Sequence, residues 1–277
     1  CSGSLRGGPI HLDYPSVGAT ENAMMAAVCA SGETVIHNAA REPEIQDLAR
    51  FLNACGAQVR GAGSGAVHIR GGAHLHGCEY EPLPDRICAG TLLLAGAATR
   101  GDVYVRDARP QDMQALLAKL REAGCTVQTL REGVRVRMRD RPRPVRRIET
   151  APFPGFATDM QAQMMALLTL ARGTSVVVEN VFENRMSHAA ELNRMGADIQ
   201  VSGRVAVVRG VEALTGARVH TRDLRAGAAL CIAALAAEGE SLVENVALID
   251  RGYDRLEEKL AALGGAAQRM EITDERR

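Results

Sequence analysis

The residue in this 277-residue chain best placed to move a proton is Asp159, in the stretch APFPGFATDMQAQ (151–163). It stands between a proline-broken loop and the uncharged run MMALLTLA. Two readings are open. Thr158 followed three residues later by Gln161 has the form of a capping box, which sets Asp159 at the first helical position, where a negative charge suits unpaired N–H groups. In the other reading, a carboxylate held among donors receives a proton from a bound substrate. What gathers around that helix start decides between them.

Arginines recur at comparable places. Arg41, Arg109, Arg185 and Arg251 each open an amphipathic stretch, while polar or ionic residues open the apolar stretches that begin SVGATEN (16–22), PDRICAG (84–90), FATDMQ (156–161) and TRDLRAG (221–227). Helix N-termini and guanidinium forks on a common rim make a site for phosphate or carboxylate. For any single arginine the plainer alternative is an ion pair with a neighbouring acid. Other chemistry is less well supported. VRVRMRDRPRPVRR (134–147) alternates as a strand with one wet face and runs on as an exposed connector. HLHGC (74–78) has two His and a Cys for a metal but sits in a glycine-rich link, and GAGSG (61–65) has no helix after it to cradle a phosphate.

The elements that must position these groups repeat. Four segments, beginning GETVIHN, GDVYVRD, GTSVVVEN and GESLVEN, each run from a β-branched strand into an amphipathic helix closed by a glycine: Gly56, Gly124, Gly196 and Gly264, at spacings of 68, 72 and 68. Such a period marks a repeated supersecondary unit. Ahead of each copy lies an apolar helix (ENAMMAAVCA, AGTLLLAGAA, MQAQMMALLTLA, AGAALCIAALAA) expected to lie fully buried beneath its sheet. The unit reads as strand, buried helix, strand, surface helix, then two strands. A compact bundle of such units wants three per domain, so four predicts an incomplete array. The fourth copy ends at AAQRMEITDERR without its last strand, and the chain opens on Cys1 rather than Met.

Composition bounds the rest. At 46% hydrophobic, the chain has material for two cores. With 33 basic and 33 acidic residues, no bulk field draws it to nucleic acid or an anionic membrane, and with no Trp it lacks an obvious base-stacking platform. The run AGAALCIAALAA (226–237) falls short of the roughly 20 residues that span a bilayer. Seven scattered Cys are expected to be reduced thiols of a soluble, cytoplasmic protein.

SVGAT, AREPEI, PDRICAGT, TDMQAQ, FENR, DLRA and IDRGY, in this order and spacing, closely resemble the UDP-N-acetylglucosamine 1-carboxyvinyltransferase family of enolpyruvyl transferases, from about residue 8 to residue 272. The resemblance implies an α/β (α+β) fold, an inverse α/β barrel of strand-helix-strand-helix-strand-strand units, six in two domains. Residues 1–83 would be the last unit of the inserted N-terminal-side domain and 84–277 nearly all of a second domain of three units. Two further units, about 140 residues, would precede them as a missing N-terminal segment of the full-length protein, carrying the family's reactive loop. The implied reaction moves the enolpyruvyl group of phosphoenolpyruvate to the 3-hydroxyl of UDP-N-acetylglucosamine, the first committed step of peptidoglycan synthesis. It implies no metal or organic cofactor and small-molecule substrates only.

Carried over by motif, Asp159 would contact the sugar hydroxyl and take its proton, and Val181 would contact the sugar through its backbone. Tyr14, Pro15, Ser16, Val17 and Gly18 would meet the uridine diphosphate. Arg185, Arg225 and Arg251 would hold the carboxylate and phosphate of phosphoenolpyruvate or the changing loop, Arg251 sharing the catalytic role with Asp159, and Asp223 would be a hinge-side partner. Departures are small: Tyr14-Pro15 stands where some members have a lysine, Cys88 where others have an acid, and Leu248 before IDRGY where some have His. The rival readings are a non-catalytic nucleotide-sugar binding module and the shikimate-pathway enolpyruvyl transferase, which lacks the TDMQAQ and FENR series.

Overall fold

The structure, a computed structural model, describes residues 4–270; Cys1 and the last seven residues of AAQRMEITDERR lie outside them. The chain divides into two compact units, Cys1–Pro84 with Pro152–Gly155, and Asp85–Ala151 with Phe156–Arg277.

In the first unit the order is β1 (Pro9–His11), α1 (Val17–Cys29), β2 (Glu33–His37), α2 (Pro43–Ala54), β3 (Gln58–Arg60) and β4 (Ala66–Arg70). The sheet order is β1-β2-β4-β3, with β1 parallel to β2 and the other pairs antiparallel. A parallel pair needs a crossover, and α1 supplies it.

The second unit repeats this plan with variations. It runs α3 (Arg86–Ala98), β5 (Asp102–Arg106), α4 (Gln114–Glu122), β6 (Thr126–Leu130) and β7 (Gly133–Arg137). There follow β8 (Arg147–Glu149), α5 (Gln161–Leu168), β9 (Thr174–Val178), α6 (His188–Arg194), β10 (Asp198–Ser202) and β11 (Val205–Arg209). Last come β12 (Arg218–His220), α7 (Leu224–Ala236), β13 (Leu242–Glu244) and α8 (Leu256–Ala262). The middle copy has the full order β8-β9-β11-β10. Among the described residues, the α3 copy has no leading strand and the α7 copy no closing pair. Helices α3, α5 and α7 pack on one another at the centre, with the sheets outside, and every residue of α5 is buried.

The closing glycines all do the same work. Gly56, Gly124, Gly196 and Gly264 have φ of 97°, 100°, 88° and 93°. In each case the following N–H donates to a carbonyl five residues back: Ala57 to Leu52, Cys125 to Leu120, Ala197 to Leu192 and Gly265 to Leu260, at 3.0, 2.9, 3.1 and 3.0 Å. The left-handed residue and the 6→1 bond are the marks of a Schellman stop. All four carbonyls belong to leucines buried in a core, so the helix end is fixed to the packing.

Two expectations need correction. Helix α1 is not fully buried: Thr20, Met24, Ala27 and Val28 face inward, whereas Met25 is 46% exposed, and at the end of α7 Ala234, Leu235 and Ala236 are likewise only partly buried. The first unit offers α1 only one sheet and α2, which cover a single face. The connector RPRPVRR is not simply exposed either. Arg141 donates to the carbonyls of Leu170 and Ala171, beyond the C-terminus of α5, and of Val211, at 3.1, 3.1 and 2.7 Å, and Val145 is fully buried.

A Cβ at Gly196 would meet only Thr215 Oγ1, at 3.9 Å, so Gly196→Ala isolates the conformational cost. It should destabilise the protein by about 1–2 kcal/mol, and Gly196→Asn by less. In urea unfolding the midpoint should fall with an unchanged slope.

Candidate functional site

Three of the four apolar helices begin on a side-chain cap. Ser16 accepts from the Ala19 N–H at 3.3 Å, Asp85 from Ile87 and Cys88 at 2.7 and 3.0 Å, and Asp223 from Arg225 and Ala226 at 2.9 Å each. Helix α5 differs. A 3-10 turn, Thr158–Met160, precedes it without a side-chain cap. The expected capping box does not form, because the Thr158 and Asp159 side chains have stronger, charged partners elsewhere.

Asp159 is held between two guanidinium groups. Its Oδ1 accepts from Arg185 Nη2 at 2.5 Å and its Oδ2 from Arg225 Nη2 at 2.8 Å. Burial by itself would raise the Asp159 carboxyl, but the charges of Arg225 and Arg185 outweigh it and hold the group below the usual range. The carboxylate is 36% exposed and its two partners 20% and 15%, so the cluster sits at a rim with the arginines deeper than the acid.

Each partner is positioned from behind. Arg225 is the second residue of α7, set by the Asp223 cap, and its guanidinium lies over the Tyr253 ring at 5.5 Å. Tyr253 is 1% exposed and shares a polar cluster with Thr91 Oγ1 at 2.9 Å and Gln163 Nε2 at 3.1 Å. Gln163 Nε2 also donates to the Asp159 carbonyl at 2.8 Å, so one amide ties the 3-10 turn to the tyrosine beneath Arg225.

On the other side, Arg185 Nη1 donates to Thr158 Oγ1 at 2.8 Å, and Thr158 donates to Glu179 Oε2 at 2.8 Å. Glu179 is 1% exposed; its Oε1 accepts from Thr150 Oγ1 and from the Val181 and Phe182 N–H groups at 2.8, 2.9 and 3.1 Å. A buried carboxylate satisfied this fully is a hub. It fixes the loop that carries Val181, and Phe182 in turn places its ring under Arg185, 4.8 Å from the guanidinium carbon.

The structure thus brings Asp159, Arg185 and Arg225 together, with Asp223 as cap and Val181 on the pinned loop. Arg251 is exposed and forms no ion pair among the described residues. Tyr14, Pro15, Ser16, Val17 and Gly18 belong to the first unit, where Ser16 caps α1 and Gly18 faces open space. Of the three aligned arginines in the second unit, Arg185 alone pairs with Asp159. Arg109 is taken by Asp112 at 3.2 Å, and the second partner of Asp159 is Arg225, not one of the four aligned positions.

Sequence reasoning missed Glu179, Gln163, Thr91 and Tyr253. One signal for Glu179 was present. Six residues after the glycines Gly32, Gly101, Gly173 and Gly239 stand Asn38, Asp107, Glu179 and Asn245. The short residues turn the chain at φ of 54°, 61° and 60°, whereas the longer glutamate does not.

Five buried polar atoms on these segments have no partner among the described residues: Gln161 Oε1, Gln163 Oε1, His188 Nε2, Thr221 Oγ1 and Arg225 Nη1. Such groups are rare in a folded protein and collect where a ligand or solvent is received. Burial pulls His188 down to about 4, so it is neutral beside Arg185 at neutral pH. HLHGC lies in the first unit, and no group of three or more His, Cys, Asp or Glu among the described residues is placed to hold a metal. No helix among them is long and apolar enough to cross a membrane.

The family profile described as EPSP synthase (3-phosphoshikimate 1-carboxyvinyltransferase) matches residues 2–260. A protein of Zymomonas mobilis named UDP-N-acetylglucosamine 1-carboxyvinyltransferase is 56% identical over 97% of this chain and 63% of its own length. One of Caldanaerobacter subterraneus, UDP-N-acetylglucosamine 1-carboxyvinyltransferase 2, is 51% identical over 98% and 65%. The chain therefore spans slightly less than two thirds of these relatives. Among solved structures, the enolpyruvyl transferase NikO from Streptomyces tendae superposes with a TM-score of 0.84 at 26% identity, covering 96% of this chain and 66% of that one. EPSP synthase from Acinetobacter baumannii, at 17% identity and a TM-score of 0.71 over 94% and 63%, shares the fold. With a profile match over nearly its whole length and a carboxylate and arginines gathered at one helix start, this chain belongs to the EPSP synthase family of enolpyruvyl transferases.

Proposed function

We propose that this chain carries out its part of enolpyruvyl transfer from phosphoenolpyruvate to the 3-hydroxyl of UDP-N-acetylglucosamine, in the cytoplasm, at the first committed step of peptidoglycan synthesis. The observation that carries the reading is the Asp159 carboxylate between Arg185 and Arg225. The names of relatives at 51–56% identity support the choice of acceptor. In this reading residues 1–83 are one repeat of a first domain and 84–277 most of a second, and the remaining third of such a protein contributes to the site.

The charges suggest how the acid is switched. Clamped by two cations, Asp159 is anionic but a weak base. Phosphoenolpyruvate brings a carboxylate and a phosphate that compete for the same guanidinium groups, with exposed Arg251 as a further acceptor of anion. Each arginine that turns to the donor removes a charge that depressed Asp159, so its proton affinity rises as the substrate arrives. The acceptor hydroxyl then loses its proton to Asp159, its oxygen bonds to the enolpyruvyl carbon, and the carbon–oxygen bond to phosphate breaks. The arginines offset charge on the departing phosphate.

A second reading, a nucleotide-sugar binding module without turnover, draws on the 63–65% of the relatives' length that the chain spans. Phosphate release with both substrates, measured on the chain alone and combined with the remaining third of the Zymomonas relative, separates the two. The transferase reading expects turnover in the combined protein and none from the chain alone. Nucleotide-sugar binding without turnover in either supports the module, and use of shikimate 3-phosphate as acceptor would overturn the assignment.

In the combined protein, Asp159→Asn should lower kcat by about 10² to 10⁴ with a smaller effect on substrate binding. Its stability should also respond to pH. The carboxyl is depressed on folding, so its contribution is present above the unfolded value near 3.9 and is lost as pH falls through the lower folded value. Chemical denaturation should find the parent's advantage over Asp159→Asn in full at pH about 7 and shrinking as the pH falls below about 3.9. An advantage independent of pH would mean that the ion cluster does not form.

Arg251→Lys and Arg225→Lys keep the charge and lose the planar fork. Each should raise KM for phosphoenolpyruvate roughly 10-fold or more and that for UDP-N-acetylglucosamine less, Arg225→Lys also losing the contact over Tyr253. Equal losses for both substrates would argue for structural roles.

A further inference from the structure

We propose that Cys55 and Cys78 form a dithiol site in the first unit that closes to a disulfide under a peroxide or a small-molecule disulfide. Their sulfurs lie 3.5 Å apart. The proximity is built into the fold from both sides. Cys55 is the C-cap of α2, where Gly56 turns the chain, and its carbonyl accepts from the His76 N–H at 2.9 Å, two residues before Cys78. Beyond Cys78 the chain runs back along α2: Tyr80 Oη donates to Asp47 Oδ1 at 2.7 Å, the Leu83 N–H donates to Asp47 Oδ2 at 3.1 Å, and the Tyr80 ring meets Phe51 edge-on at 5.4 Å. Contacts before and after the second cysteine hold it over the helix end.

Both thiols are reachable, Cys78 exposed and Cys55 partly so. Closing the bond requires the sulfurs to move from 3.5 Å to about 2.05 Å. Gly77, beside Cys78, supplies backbone freedom, with open space where a Cβ would stand. In the reaction two thiols lose two protons and two electrons as the S–S bond forms; the electrons cleave a peroxide O–O bond to give water, or reduce a small disulfide to two thiols. The histidines of HLHGC do not complete a metal-holding group with these thiols among the described residues, so the pair suits redox chemistry better. Partial burial, then the neighbouring thiol, raises Cys55 above its ordinary value, so the link should form slowly at neutral pH.

The test is a peptide map of protein treated with hydrogen peroxide or oxidised glutathione at pH about 8.5 and digested with trypsin without reduction. The expected product joins FLNACGAQVR (51–60) to GGAHLHGCEYEPLPDR (71–86). It should be the dominant cross-link from folded protein, absent from Cys78→Ser, and one among many when the protein is oxidised in urea. The oxidised protein should also melt at least about 5 °C above its reduced form, a shift that Cys78→Ser should not show. Cross-links spread evenly over other cysteines, or oxidation that stops at Cys55 sulfenic acid or a mixed disulfide, would overturn the proposal. These outcomes do not depend on the transferase reading.

Discussion

The cluster of Asp159 with Arg185 and Arg225 is the interaction on which the candidate site of the second unit depends. Three charged groups at the rim of an apolar three-helix core gain little stability as such, because loss of hydration offsets much of their attraction. Their value lies in geometry and in charge. Two guanidinium groups against one carboxylate leave a local excess of one positive charge, which suits an anion. Each member needs a fixed position, and the neighbouring polar groups supply it: Asp223 and Tyr253 for Arg225, Thr158 and Glu179 for Arg185, Gln163 for the turn that bears Asp159.

That support explains why the carboxylate of the site falls in one copy of the repeat, with partners from its neighbours. The four copies share their closing glycines and buried leucines, which keep the scaffold regular. The copy built on α5 departs at two places, with a 3-10 turn instead of a capped helix start, and with buried Glu179 where the others turn on a left-handed Asn or Asp. Where local rules agree they build the frame, and where one copy breaks them the side chains are released for chemistry. Gln163 fits the same pattern: it follows Ala162 where Gly90 follows Ala89 and Gly227 follows Ala226. A Cβ at Gly90 would come within 2.7 Å of Leu116, and one at Gly227 within 2.5 Å of Ile249. The amide at 163 instead reaches Tyr253.

The repeat, its strand and helix order and its glycine stops were legible in the sequence because they rest on local rules of periodicity and backbone conformation. Asp159 and the arginines were legible as types of group. Their pairing was not, since the partners of Asp159 lie 26 and 66 residues away and the repeat, which aligns their helix starts, does not say which side chains meet. The exposed face of α1 was hidden for a related reason. An apolar helix shows that it seeks cover, but which faces are covered depends on how many sheets its unit supplies, and that is a property of the assembled chain.

The arginines also divide by how firmly they are held. Arg185 and Arg225 have carboxylate, hydroxyl or aromatic partners in place, whereas Arg251 is exposed and without an ion pair among the described residues. A site made only of the first kind would hold its own carboxylate too well to release it. One made only of the second would lose much of the advantage of fixed dipoles, since each donor would have to be ordered as the charge develops. In the proposed reading, a prearranged pair that an anion must win from Asp159, together with an exposed Arg251 that meets the anion first, would couple arrival of the anion to release of the base. Buried Arg225 Nη1, unpartnered next to a donor already committed to Asp159, shows that the prearranged half keeps donor capacity in reserve.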